Sequence, residues 1–112
     1  AAIAVHREFG AGFLESTYQR ALCVELDHLG IAYSCEHYVE LTYRGKVVGE
    51  GRIDVLVDNR LVVELKAAKA NPDVYRRQLV KYLKVTGLSL GLVINFETDR
   101  LVDGVARVIH TS

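Results

Sequence analysis

Three residues near the middle of the chain have the types and spacing for phosphate chemistry: Asp54, Glu64 and Lys66. Asp54 lies in one run rich in β-branched residues, and Glu64 and Lys66 lie in the next, with Asp58-Asn59-Arg60 between them as a turn. If that turn is a three-residue connection, Val57 stands opposite Leu61, Val55 opposite Val63 and Ile53 opposite Leu65, giving one wholly apolar face. A one-residue slip would carry charges into the core, which favours this register. The other face then pairs Leu56 with Val62, Asp54 with Glu64 and Arg52 with Lys66. Opposed side chains on one face place their Cβ atoms roughly 4.5–5.5 Å apart, and two carboxylates that close repel. A divalent cation such as Mg²⁺ resolves the repulsion, because a hard ion takes oxygen ligands and keeps water for reaction. It polarises a phosphate oxygen and generates hydroxide near neutral pH. Lys66 follows Glu64 on the same face, about 6.6–6.8 Å along the strand, where it can orient water or balance growing negative charge. The competing reading of these three residues is a solvated strand face with a weak ion pair.

The elements that must position them can be read from periodicity. Residues 1–9 read as a helix with Ile3, Val5 and Phe9 as its apolar positions, broken by Gly10-Ala11-Gly12. A second helix, Leu14 to Leu29, shows Leu14, Tyr18, Ala21, Leu22, Leu26 and Leu29 at spacings of three and four, with Gly30 as its cap. Three strands follow as a meander: Ile31 to Tyr43, Val47 to Val57 and Leu61 to Ala67, with Arg44-Gly45-Lys46 as the first turn. Asn71-Pro72 begins a helix whose stripe is Val74, Leu79, Tyr82 and Leu83, ended by Gly87. Leu88 to Phe96 is a dense apolar run, expected to be a central or parallel strand, and Leu101 to Ile109 is expected to be a last strand at an edge. The order is αβββαβ, preceded by one helix and followed by one strand.

The 112 residues are about the size of one domain, half hydrophobic and a quarter charged, a globular balance. No apolar run is long enough to read as a membrane helix, and no secretory signal pattern opens the chain. The sequence has no Met and begins within a helical pattern, so it reads as cut into at its N-terminus. Cys23 and Cys35 form no metal motif, and His6, His28, His37 and His110 are scattered; the expectation is two reduced, partly buried thiols in a cytoplasmic protein. Net charge is zero, which argues against coating nucleic acid by bulk electrostatics. A local patch survives that argument: Lys66, Lys69, Arg76, Arg77, Lys81 and Lys84 face only Asp73 as an acid, and Arg77, Lys81 and Lys84 share a helix face. Such a patch can hold a phosphate backbone, or simply be a solvated helix face.

The segment Gly12-Phe13-Leu14-Glu15-Ser16-Thr17-Tyr18 resembles the motif that names the GxxExxY family. Ile53-Asp54 followed by Glu64-Leu65-Lys66 resembles the signature of the PD-(D/E)XK nuclease superfamily, in which that family is placed. Gln78-Leu79-Val80-Lys81-Tyr82 resembles the Q-x-x-x-Y segment of several such nucleases. The likeness covers nearly the whole chain and departs at Ile53, where the superfamily's name has proline. It implies a restriction-endonuclease-like α/β fold, a central mixed sheet flanked by helices. It implies Mg²⁺ or Mn²⁺ on Asp54, Glu64 and the Leu65 carbonyl, Lys66 as the catalytic lysine and Glu15 as an added acid at the metal. It places Gln78 and Tyr82 as supporting residues along the site. From the residues alone, Glu15 is equally a helix N-terminal acid, and Tyr18 and Tyr82 are core aromatics with polar tips.

The function expected is metal-dependent phosphodiester hydrolysis, with DNA as the partner and Lys69, Arg77, Lys81 and Lys84 as its contacts. The alternative is an inactive nucleic-acid-binding or protein-interaction module that keeps the fold. A homodimer through the C-terminal edge strand, or a partner protein, would suit so small a domain.

Overall fold

A computed structural model describes residues 1–69 and 71–111. Two helices come first, α1 (Ala2–Phe9) and α2 (Glu15–His28). Strands β1 (Tyr33–Tyr43), β2 (Lys46–Val57) and β3 (Leu61–Lys66) follow, then helix α3 (Pro72–Thr86), strand β4 (Leu90–Asn95), a 3₁₀ turn (Leu101–Gly104) and strand β5 (Val105–Ile109). The five strands form one mixed sheet in chain order. Only β3 and β4 are parallel, joined across α3; the other neighbours are antiparallel. This is the restriction-endonuclease-like arrangement expected.

Local chemistry explains the boundaries. Asn71 caps α3 by accepting the Asp73 amide on its side chain at 2.9 Å, Pro72 occupies the first turn, and Gly87 closes the helix in the left-handed region. The β2–β3 turn uses left-handed Asp58 and Asn59, residue types that tolerate that conformation, and the Arg60 amide donates to the Val57 carbonyl at 3.0 Å. The β1–β2 turn is tighter than expected: Tyr43 pairs directly with Lys46 around Arg44-Gly45.

Two cores lie on opposite sides of the sheet. One joins α1 and α2 to Val55, Val63, Leu65, Ile94 and Phe96, with Tyr18 stacked on Phe96 at 4.2 Å between ring centres. The other joins α3 to Ile53, Leu56, Val62, Val93 and Val108 through Leu79 and Leu83. Helix α3 approaches β4 closely at Gly91, where an added Cβ would come within 2.8 Å of Leu79.

Several expectations need correction. Ile3 and Phe9 are exposed, and α1 buries Val5 with His6, whose Nε2 stands 2.9 Å from the Thr98 carbonyl. Leu14, Leu29 and Val74 are likewise exposed at helix ends, where the packed stripe has turned away from the sheet. Residues 101–104 form a 3₁₀ turn, because Leu101 enters the first core and Gly104 lies against the Asn95 backbone; the edge strand begins only at Val105. Cys23 and Cys35 are not free thiols: they form a disulfide. Helix α2 packs across the start of β1, so residues that share no motif in the sequence meet in space.

Candidate metal and phosphate site

The site forms where β2 and β3 stop pairing. Their ladder holds at Val57–Leu61, Leu56–Val62 and Val55–Val63, as the sequence register requires, and goes no further. The expected continuation of Ile53 against Leu65 fails, since these two side chains belong to opposite cores. Side chains replace the missing ladder. The Leu65 amide donates to Asp54 Oδ2 at 2.8 Å, and Gln19 of α2 donates its amide to the Asp54 carbonyl at 2.8 Å. Across from Asp54 in β1, Glu36 adopts φ 53, outside ordinary strand geometry, so the pleat breaks on both flanks of β2.

Asp54 and Glu64 are both buried, 5% and 4% exposed, which a solvated strand face does not permit. Asp54 is well partnered: Arg52 donates from Nη2 to its Oδ1 at 3.1 Å and also stands 3.6 Å from Glu36. That hydrogen bond to Asp54 pushes the Arg52 pKa up. Glu64 is not well partnered. Its Oε1 is the only buried side-chain polar atom without a hydrogen bond among the described residues. Burial, then the neighbouring Asp54 charge, pushes its pKa to about 8, with Lys66 and the Asp54 backbone opposing and Glu15 adding a little.

Glu15 reaches the same place from the first turn of α2. Burial raises its pKa, Lys66 opposes, Asp54 adds to the rise and Arg52 lowers it. The Gly12 and Tyr18 positions of the early motif set that helix start. Gly12 takes φ 102, and the Tyr18 hydroxyl donates to the Gly10 carbonyl at 2.5 Å while accepting the Phe13 amide at 3.2 Å. Tyr18 is fully buried, so it fixes the loop before Glu15 rather than meeting a substrate. Lys66 extends toward α3, with Nζ 5.0 Å from the centre of the Tyr75 ring.

Asp54, Glu64, Lys66 and Glu15 lie near enough for their charges to act on one another. Leu65 contributes backbone between the two signature side chains. Gln78 and Tyr82 lie off to one side, in a groove with Glu50, Gly51 and Lys81. An added Cβ on Gly51 would fall within 2.7 Å of Tyr82, so that ring packs on β2 next to Arg52. Lys69 lines a cleft of about 350 Å³ with Tyr75, Arg76, Asn95 and Thr98. Arg77 and Lys81 are exposed along α3, whereas Lys84 lies beside Ser89 and His110, about 18 Å down the helix from Pro72. Sequence reasoning missed Gln19 and the hold of Arg52 on Asp54. Gln19 had a signal: it follows Glu15 by four residues, on the same helix face.

A divalent cation fits the donor set. Carboxylate and carbonyl oxygens suit a hard ion, and such an ion would partner the orphaned Glu64 oxygen. Among the described residues no three His, Cys, Asp or Glu side chains are gathered closely enough to hold a metal unaided. The ligands would be Asp54, Glu64 and the Leu65 carbonyl, with water completing the shell, and Glu15 acting at the margin.

Comparison with known proteins gives one finding: the model for the PD-(D/E)XK nuclease superfamily matches residues 1–108. Comparison with curated proteins and with solved structures finds no match.

Proposed function

We propose that this chain, which belongs to the PD-(D/E)XK nuclease superfamily, is a metal-dependent nuclease that hydrolyses phosphodiester bonds in DNA. Within the superfamily we assign it to the GxxExxY family, on Gly12, Glu15 and Tyr18. The observation that carries the reading is the buried Asp54–Glu64 pair, ending in a Glu64 oxygen that no protein donor satisfies. Buried polar groups are nearly always hydrogen-bonded, and each exception calls for an explanation.

Mg²⁺ or Mn²⁺, when bound, supplies the charge that polarises the phosphate and makes water a nucleophile near neutral pH. The chain supplies positioning. The Leu65 amide and the Gln19–Asp54 bond hold the Asp54 carboxylate at a fixed height beside β3. Lys66, steadied over Tyr75, offers its ammonium protons to the phosphate oxygens as negative charge grows on them. Glu15 adds a carboxylate at the margin that can orient water. Lys69 before α3, with Arg77 and Lys81 on it, offers cationic side chains for the flanking backbone.

The test is cleavage of single- and double-stranded DNA and of RNA, with Mg²⁺, with Mn²⁺ and with EDTA. Metal-dependent cleavage that Asp54→Ala and Lys66→Ala both abolish is the expected result. Absence of cleavage together with absence of metal binding by calorimetry would move the reading to a binding module that keeps only the fold.

A further inference from the structure

Arg52 lies outside the superfamily signature, two residues before Asp54. It is an exposed guanidinium held at a buried carboxylate, 3.1 Å from Asp54 Oδ1, with its side chain 44% exposed. Its second partner, Glu36 at 3.6 Å, sits in a backbone conformation that residues other than glycine seldom adopt. Glu36 faces Asp54 across the sheet at the one place in the inner half of β1 where the ladder skips a pair. Strained backbone of this kind persists where the surroundings enforce it, and it gathers at functional sites.

Charge points the same way. Asp54, Glu64, Glu15 and Glu36 stand with Lys66 and Arg52, so the fully ionised cluster carries two net negative charges. A divalent cation brings it to neutrality, so that a phosphodiester monoanion is no longer repelled. Without Arg52 the metal-loaded cluster keeps an uncompensated negative charge in a partly buried place. Lys66 leans toward α3, over Tyr75, while Arg52 lies on the β1 side with Glu36, so the two cations flank the carboxylates from opposite sides.

We infer that Arg52 is a substrate-binding residue that grips a non-bridging oxygen of the phosphodiester bound at Asp54 and Glu64, with Glu36 holding the guanidinium ready. The inference rests on the nuclease reading and adds to it a specific ligand for the substrate phosphate. A planar guanidinium can give one edge to Asp54 and another to phosphate, which a lysine ammonium cannot reproduce. The grip depends on metal, because without the cation the cluster's net negative charge repels an anion.

Equilibrium binding without turnover tests this. A short labelled DNA duplex and its single strand are titrated by fluorescence anisotropy in Ca²⁺, an oxygen-seeking cation used here as a non-catalytic probe, and in EDTA, over a range of salt. Wild type is compared with Arg52→Gln, Arg52→Lys and Arg60→Gln, an exposed arginine on the distant turn. Calorimetry measures Ca²⁺ affinity for each. The expected result is that Arg52→Gln weakens DNA binding roughly ten- to hundredfold in Ca²⁺ and lowers the salt slope by about one phosphate contact, with no change in EDTA. Arg52→Lys should restore the salt slope but only part of the affinity, and Arg60→Gln should match wild type. If Arg52→Gln keeps the wild-type slope and loses only Ca²⁺ affinity, Arg52 merely supports Asp54 and the inference fails alone. If wild type binds Ca²⁺ but neither DNA form, the inference and the nuclease reading fail together.

Discussion

The β2–β3 hairpin has two ends built by different rules. At the turn end, Val57, Leu56 and Val55 pair with Leu61, Val62 and Val63 in unbroken alternation, and backbone satisfies backbone. At the other end, ten residues along the chain from each other, Asp54 and Glu64 lie where the ladder has been given up. The Asp54 carboxylate takes one backbone amide and a helix glutamine takes the Asp54 carbonyl. The first end is regular because backbone pairs with backbone along the ladder and across the turn. The second holds a carboxylate oxygen without a partner, and it can do so because the intact end and the two cores fix the strands. The buried carboxylates thus lie where regular pairing stops, not where it is strongest.

The most severe way to break the contrast is Asp54→Ala, expected to lower cleavage about a thousandfold or more, with Lys66→Ala close behind. Steady-state kinetics on a DNA substrate checks both, beside melting curves that show the variants remain folded.

The Glu64 carboxyl gives the next effect. Its folded pKa of about 8 lies above the usual value of 4.5, so between these two values the metal-free fold holds a proton that the unfolded chain has lost. Stability conferred by the neutral carboxyl is therefore complete below the unfolded pKa and is lost as pH rises toward about 8. The expected slope in EDTA is about 1.4 kcal/mol of lost stability per pH unit inside that window. Glu64→Gln should flatten it, and so should a saturating divalent ion that holds the carboxylate charged. Denaturant melts across the range read the slope; a slope unchanged in Glu64→Gln would assign it elsewhere.

Gln19→Leu should cost roughly 1–3 kcal/mol, since it leaves the buried Asp54 carbonyl without a donor. It should also lower the turnover rate, because Asp54 loses its brace, whereas a mutation of equal cost in the second core should not. Comparing Gln19→Leu with Leu83→Val, by melting and by turnover, separates support of the site from support of the fold.

Smallest of all, Arg60→Ala at the turn end should change stability by no more than about 0.5 kcal/mol, because its contact with Asp58 is exposed and 3.9 Å long. A larger loss would mean that the regular end is less self-sufficient than its pairing indicates.

Much of this protein was legible in the sequence because it rests on local rules. The turn at Asp58-Asn59, the capped helix after Asn71, the parallel strand near Leu90 and the register of Val55 with Val63 follow from turn chemistry, capping and alternation. The spacing of Asp54, Glu64 and Lys66 carries the family likeness in the sequence itself. Alternation could not foresee its own failure at Ile53. That break depends on Gln19 arriving from a helix 35 residues away and on Glu36 opposite, contacts with no period to read. The Cys23–Cys35 disulfide and the burial of His6 are of the same kind. The sequence by itself determined which elements form and which side chains could do chemistry, because propensity and periodicity act between near neighbours. Only the tertiary structure decided which carboxylate oxygen lacks a partner, that of Glu64, and which carboxylate an arginine holds, that of Asp54, because desolvation and charge depend on what the rest of the fold excludes from the site.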